Sequence, residues 1–532
     1  MLNLYPQRFS FGIMLCFGFA LLYSLYSWLP LLDAKWSLID DHEIVSYIGE
    51  RDRLPILEIP QALSKTEIGS ASFRERFRPS YYSIRLLEAA IWGKSPYLWY
   101  ATRIAIFSIF ALTLTAVCLR IGGAILTLGF LAFELSRPYW SDIFARLGPA
   151  ETYDVLGVTL TMIGFIFADK KGGWSVLSCL LVTAGIVIAA GSKENFVIMG
   201  ALPLWLIFFQ SPPLSLKLKS IVAIALVYIA WISINVIERL RHFGHDVYQQ
   251  PISIKSRIEP LYSFASRIDI LVLLIICLSV FFFIFVLRRR CGNIKEKPCL
   301  MSLNSYALGI LAMLALILSQ HLFYGSNGHW PNDVAPRYLF PGMLAENMAF
   351  FLSIVVIAKM ASIKFPKLAA TIWVIYLAGA LSFLMLSVEN ITSNRAASIK
   401  RVVTTSSLTN RLDEAFIYLR AHPSAALLLN SHNVWDYEPI FSIYKFVRAS
   451  GLINPIAINI NGYSPNSFSK NSQPLEFKLA STLLEIQHFG NSKFVPLHTT
   501  QTNATCFSMG ITGPPLARCE SGNIVWSVLD MN

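Results

Sequence analysis

The chain has 532 residues, 55% of them hydrophobic and only 14% charged, and a mean hydropathy of +0.53. A soluble protein of this size is less apolar, so the chain belongs in a membrane. Its net charge of +12 would suit nucleic acid, but the basic residues come in short clusters between apolar runs without interleaved aromatics. That distribution excludes a nucleic-acid groove and reads as membrane topology. The roughly ten-residue alternation of an outer-membrane barrel is absent, and 36 Phe, 21 Tyr and 12 Trp suit a helical bundle with aromatic belts.

The first apolar run, Phe9 to Leu32, is long enough to span and is not followed by a small-residue cleavage site, so it is expected to be a retained helix. Further runs lie near 100–118, 121–136, 153–168, 174–191, 195–210, 219–237, 269–287, 303–321, 341–358 and 368–388, for about eleven spans in all. Lys and Arg collect in one alternate set of connections, at Arg8, Arg120, Lys170, Lys171, Lys217, Lys219, Arg288 to Arg290, Lys359, Lys364 and Lys367, which are expected to be cytoplasmic. The other connections, 33–99, 137–152, 192–194, 238–268 and 322–340, then face outward together with the tail.

The 33–99 loop carries its own helix. In "PSYYSIRLLEAAIWG", Pro79 takes the first helical position and Gly93 supplies the stop, with Arg85 and Glu88 giving the segment an interfacial character. The tail, 389–532, reads as an exported α/β domain beside a membrane domain of 1–388. Its elements are a helix from about Leu408 to Arg420, strands at 425–430, 455–460 and "KFVPL", and helices near 438–450 and at "LASTLLEIQHF". Cys16, Cys118, Cys179 and Cys277 fall in apolar runs as packing residues and no zinc-like spacing occurs. Cys506 and Cys519 are a candidate disulfide if the tail is exported.

Five polar stretches stand out on the expected outer side. "SLIDDHEIVSYIGE", 37–50, sets Asp40, Asp41 and Glu43 just beyond the first helix. These acids are either a solvated collar or a general base for an acceptor hydroxyl, a role worth roughly 10² to 10⁴ in rate. Arg74, Arg76, Arg78, Arg85 and Arg103 lie where the charge rule disfavours them; they meet either phosphate or lipid headgroups along an amphipathic helix. "RLGPAETYD", 146–154, brings Arg146, Glu151 and Asp154 to one mouth, and "GSKENF", 191–196, offers Lys193 and Glu194 as a local ion pair or as a phosphate contact. "HWPNDVAPRYLFPG", 329–342, places Arg337 and Tyr338 before the tenth run. Together these suit a substrate with a polyprenyl tail in the bilayer and a phosphate at its surface.

In order, the acidic pair, "RFRPSYYSIRLLEAAIWG", "GPAETYD", "SKE" and "APRYLFPG" resemble the membrane half of GT-C glycosyltransferases, most nearly the tetratricopeptide-bearing O-mannosyltransferases and their bacterial relatives. The likeness covers roughly residues 10–345. It implies a GT-C-like bundle with interfacial helices in the first outer loop, and transfer of a sugar from a polyprenyl-phosphate donor with an aspartate as base. The catalytic acid falls on Asp41 or Asp40, with Asp41 preferred. Lys193, Arg337 and Arg78 match donor-phosphate positions, while Glu43, Glu151, Asp154 and Tyr338 match the acceptor or sugar side. No cofactor is implied by a monophosphate donor. A diphosphate donor would call for a divalent metal, with Asp40, Asp41 and His42 as ligands. No tetratricopeptide repeats follow the last span, which shifts the acceptor from protein towards an envelope glycan or lipid in a bacterial inner membrane. The rivals are a flippase for a lipid-linked sugar, which would show broken helices or repeats near the midplane; a polymerase or ligase using a diphosphate donor; and an assembly protein whose tail binds a partner.

Overall fold

A computed structural model describes residues 11–69, 76–170, 172–210, 212–243, 262, 264, 265, 267–291, 298–324, 336–364, 369–423, 426–431, 437–454, 456–460 and 525–529. The described helices are α1 (Phe11–Trp28), α2 (Asp41–Ile48), α3 (Ile59–Ser64), α4 (Pro79–Trp92), α5 (Pro96–Leu135), α6 (Tyr139–Phe144), α7 (Glu151–Lys170) and α8 (Val176–Ser192). They continue with α9 (Ala201–Phe208), α10 (Leu216–Phe243), α11 (Ile268–Cys291), α12 (Pro298–Tyr324), α13 (Gly342–Lys364), α14 (Ala369–Ser387), α15 (Ser393–Ala421) and α16 (Tyr437–Ala449). Among the described residues, five segments are long and apolar enough to cross a membrane: Phe11–Asp33, Pro96–Leu135, Glu151–Lys170, Leu216–Phe243 and Gly342–Ala361. Shorter apolar helices occupy Val176–Ser192, Glu194–Phe208, Ile270–Phe283, Ser305–Gln320 and Ile372–Ser387. The protein is an α-helical membrane protein.

The chain divides into two compact units. The first comprises Met1–Leu29, Glu67–Tyr82 and Thr102–Ser398; the second comprises Pro30–Thr66, Ser83–Ala101 and Ile399–Asn532. The sequence boundary at 388/389 separates membrane domain from tail, whereas the second unit draws in most of the 33–99 loop as well.

In the first unit, α7 and α8 pack backbone to backbone. A Cβ on Gly157 would stand 2.5 Å from the Gly185 carbonyl oxygen, and one on Gly185 would stand 2.4 Å from that of Gly157. Gly164 meets the Ser178 carbonyl in the same way at 2.8 Å. Small residues at such crossings let helices associate where lipid offers no hydrophobic driving force. The runs expected as separate spans at 100–118 and 121–136 fall within the single 40-residue stretch of α5, broken by Gly123 at φ 70°. The stretch around and beyond the break packs closely on α13 and α14, where a Cβ on Gly122 would meet Phe351 at 2.7 Å and one on Gly129 would meet the Ala380 backbone at 2.6 Å. Leu273 of α11, Ile310 of α12 and Ala349 of α13 share another fully buried cluster.

In the second unit, a three-stranded sheet has the order β2-β1-β3, with β1 (Ala426–Ser431) parallel to β2 (Ile456–Ile460) and antiparallel to β3 (Val525–Leu529). The first two strands coincide with the runs "AALLLN" and "PIAINI"; β3 was not expected from the sequence. The helix at "LASTLLEIQHF", the strand at "KFVPL", and Cys506 and Cys519 lie outside the described residues. The core of this unit joins Leu412, Phe416, Leu429, Ile440, Tyr444 and Ile456 of the tail to Leu38 and Val45. Each large apolar side chain buried there contributes roughly 1.5–3 kcal/mol. The segment that follows α1 is therefore packed into the same core as α15 and α16.

Helix α4 runs as the sequence predicts, from Pro79 to Trp92, and stops at Gly93 with φ 55°. A Cβ at Gly93 would lie 2.1 Å from the Asp52 carbonyl oxygen, so only glycine fits that turn. Ser83, Leu87 and Ile91 form its exposed stripe, while Arg85 and Glu88 point into the protein.

Candidate functional site

Candidate residues from the sequence gather in two clusters, one in each unit. In the first unit, Glu151 opens α7 and Lys193 caps α8, so the carboxylate sits at a positive helix end and the ammonium at a negative one. Lys193 Nζ donates to Glu151 Oε1 at 2.5 Å, and both side chains are buried. The Tyr338 ring gathers two cations: Lys193 Nζ and Arg337 Cζ each lie 5.0 Å from its centroid. Arg337 Nη2 also donates to the Tyr338 hydroxyl at 3.3 Å, and the Arg337 backbone N–H donates to Asp142 Oδ2 at 3.1 Å. Gln320 holds the other side of this turn by donating from Nε2 to the Tyr338 carbonyl, and accepts from Asn195 Nδ2 at 2.6 Å.

Arg78 makes a bidentate pair with Glu194, Nε to Oε1 at 3.0 Å and Nη2 to Oε2 at 3.1 Å. Lys193 and Glu194, read from the sequence as a possible local ion pair, thus bond to Glu151 and Arg78 respectively. Asp154, one turn along α7 from Glu151, is fully buried, and neither carboxylate oxygen has a hydrogen-bond partner among the described residues. An uncompensated carboxylate of this kind is costly to bury and is a functional-site hypothesis in its own right.

Of the arginines expected on the outer side, two are drawn inside the protein. Arg85 and Arg103 are fully buried. Arg103 Nη2 donates to the Tyr153 hydroxyl at 2.9 Å with its guanidinium over the Tyr153 ring at 4.8 Å. The Arg76 carbonyl accepts from Arg239, and Arg146 pairs with Asp142 at 3.4 Å. Arg74 lies outside the described residues.

In the second unit the acids sit on a strained turn. Ile39 and Asp40 have φ of 63° and 66°, in the left-handed region that a β-branched residue seldom enters. Asp41 then begins α2, its Oδ2 accepting from the Ser37 N–H at 2.8 Å while Oδ1 has no partner among the described residues. Burial raises the Asp41 carboxyl to about 6, opposed by the charges of Arg401 and Arg85 and by the Ser37 hydrogen bond, and reinforced by Asp40. His42, half-buried and edge-on to the Phe441 ring at 5.6 Å, is pushed down by desolvation to about 4 and is neutral at physiological pH.

Arg85 bridges the neighbours, with Nη2 donating to the Asp40 carbonyl at 2.7 Å and Nε 3.8 Å from Glu43 Oε2. The two aspartates left open by the sequence are thereby distinguished: Asp41 is enclosed and holds its proton to near neutrality, whereas Asp40 is half-exposed.

The sequence reading missed the polar residues that support these clusters. Gln320 and Asn195 were legible in principle, as lone amides in apolar runs. Arg401 and Ser442 carry no local signal, because their partners lie hundreds of residues away. Among the described residues, no group of three or more His, Cys, Asp or Glu side chains is arranged to hold a metal. Cys16, Cys118, Cys179 and Cys277 are free and buried. No protein-family model, curated protein or solved structure matches the chain.

Proposed function

We propose that the protein is a membrane glycosyltransferase of GT-C type that moves a sugar from a polyprenyl-phosphate donor to an acceptor hydroxyl on the outer face of a bacterial inner membrane. The observation that carries this reading is the meeting of Lys193 and Arg337, chosen separately from the sequence for one ligand, on the ring of Tyr338. Two cations on one aromatic platform suit a phosphate-bearing headgroup. Asp154, with unused acceptor capacity, suits the hydroxyls of a sugar.

The acceptor oxygen attacks the anomeric carbon as its proton passes to Asp41. The bond from that carbon to the phosphate oxygen breaks on the opposite face, inverting the centre, and its electron pair leaves with the polyprenyl phosphate. By the family resemblance, Lys193, Arg337 and Arg78 are assigned to the donor phosphate, where cations stabilise a departing charge. A base with a carboxyl near 6 is ionised at physiological pH yet retains basicity. The tail takes its place as an exported domain in this scheme, and the acceptor is an envelope glycan, lipid or protein.

The test is transfer from a synthetic polyprenyl-phosphate sugar by the reconstituted protein. Asp41→Asn is expected to lower kcat by roughly 10² to 10⁴, and Lys193→Met to raise the donor KM. Wild-type kcat/KM in both variants refutes the reading.

A further inference from the structure

Several residues of the tail hold the segment 35–42, alongside Arg85 of α4 at the Asp40 carbonyl. The Lys35 N–H donates to Thr405 Oγ1 at 3.0 Å, and Arg401 Nη1 donates to Ser37 Oγ at 2.9 Å, both from α15. The Ile39 N–H donates to Ser442 Oγ at 3.1 Å, and His42 sits edge-on to Phe441, both from α16. Leu38 and Val45 complete the attachment by entering the core formed by α15, α16 and the sheet. Between these anchors lie Ile39 and Asp40, in conformations that cost free energy wherever the surroundings do not impose them.

From this arrangement we infer that the tail is a clamp on the Asp40–Asp41 turn, with Arg401 and Ser442 as positioning residues for Asp41. Ser442 fixes the backbone N–H of the first left-handed residue. Arg401 fixes the Ser37 side chain, whose own backbone N–H donates to Asp41. With either anchor lost, the turn relaxes towards ordinary backbone angles and Asp41 gains water; where Ser442 alone is lost, its carboxyl returns towards the normal carboxylate range. The charged groups acting on Asp41 are Arg401 from α15, Arg85 from α4 and its neighbour Asp40. Ser442→Ala changes none of them, so its effect isolates position from charge. The inference rests on the reading of Asp41 as base only for its catalytic meaning, because the clamp itself is measured without turnover.

Full-length wild type, Ser442→Ala, Ser442→Thr and Arg401→Gln are to be compared in detergent or nanodiscs by two methods. Hydrogen exchange reads the peptide covering 37–42, and isotope-edited infrared spectroscopy follows titration of the Asp41 carboxyl, identified by its disappearance in Asp41→Asn. The expected result is at least about tenfold faster exchange in that peptide for Ser442→Ala and Arg401→Gln, and a lower Asp41 midpoint in Ser442→Ala. Ser442→Thr, which keeps the hydroxyl, should restore both.

Unchanged exchange in Ser442→Ala and Arg401→Gln overturns the clamp. Faster exchange with an unmoved Asp41 midpoint overturns the positioning role. Full transfer by Asp41→Asn would sink the base assignment alone and leave the clamp readouts standing.

Discussion

Asp41→Asn should make the protein more stable at neutral pH while removing the proposed transfer activity. The wild-type carboxyl rises from 3.8 to about 6 on folding, so the folded chain holds that proton more tightly than the unfolded chain. Between those two values the unfolded state has released the proton and the folded state has not; stability from this group is therefore greatest below pH 3.8 and falls as pH rises to about 6. A gap of about two pH units, at about 1.4 kcal/mol each, makes the ionised carboxylate cost about 3 kcal/mol at neutrality. Asparagine keeps an acceptor for the Ser37 N–H and carries no charge. Its stability relative to wild type should therefore improve by about 3 kcal/mol between about pH 4 and about pH 8. The offset from placing an amide where Oδ1 lies does not depend on pH, so the slope is the diagnostic quantity. Unfolding midpoints of the two proteins across that range, in one detergent, provide the assay. A difference that stays flat with pH, or grows in acid, refutes a buried, high-affinity carboxyl at position 41.

Two further outcomes follow from the first unit. Glu151→Gln removes the carboxylate that occupies Lys193 and is expected to tighten binding of inorganic phosphate about tenfold, as read by calorimetry, whereas Lys193→Met should abolish that binding. Gly157→Val forces a side chain against the Gly185 carbonyl; it is expected to cost about 1–3 kcal/mol and to weaken phosphate binding as α7 and α8 separate, seen as a lower unfolding midpoint together with a higher Kd.

Much of the local architecture was legible because it obeys short-range rules. Pro79 and Gly93 marked both ends of α4 since proline suits a helix start and the turn after Trp92 needs a positive φ. The runs around 425–430 and 455–460 announced β1 and β2 by their apolar, β-favouring composition. Long-range effects left no comparable trace. Arg85 and Arg103 look like interfacial charges in an amphipathic pattern, yet their partners, the Asp40 carbonyl and Tyr153, lie far along the chain and draw them inside. The packing of Leu38 and Val45 against tail helices likewise depends on contacts spanning about four hundred residues, beyond any window of periodicity. The candidate site divided the same way. Its residue types could be picked out, but the partners of Lys193 and Glu194 and the different surroundings of Asp40 and Asp41 required the fold.

The left-handed pair at Ile39 and Asp40 bears on how such a protein can be improved by selection or design. Glycine at either position would relieve backbone strain of order 1–3 kcal/mol, so a screen for heat resistance would favour it. The same replacement would free the turn that aims Asp41. On the proposed function, thermostability and transfer are thus set against each other at two adjacent positions, and variants enriched for survival at high temperature are expected to have lost transfer activity.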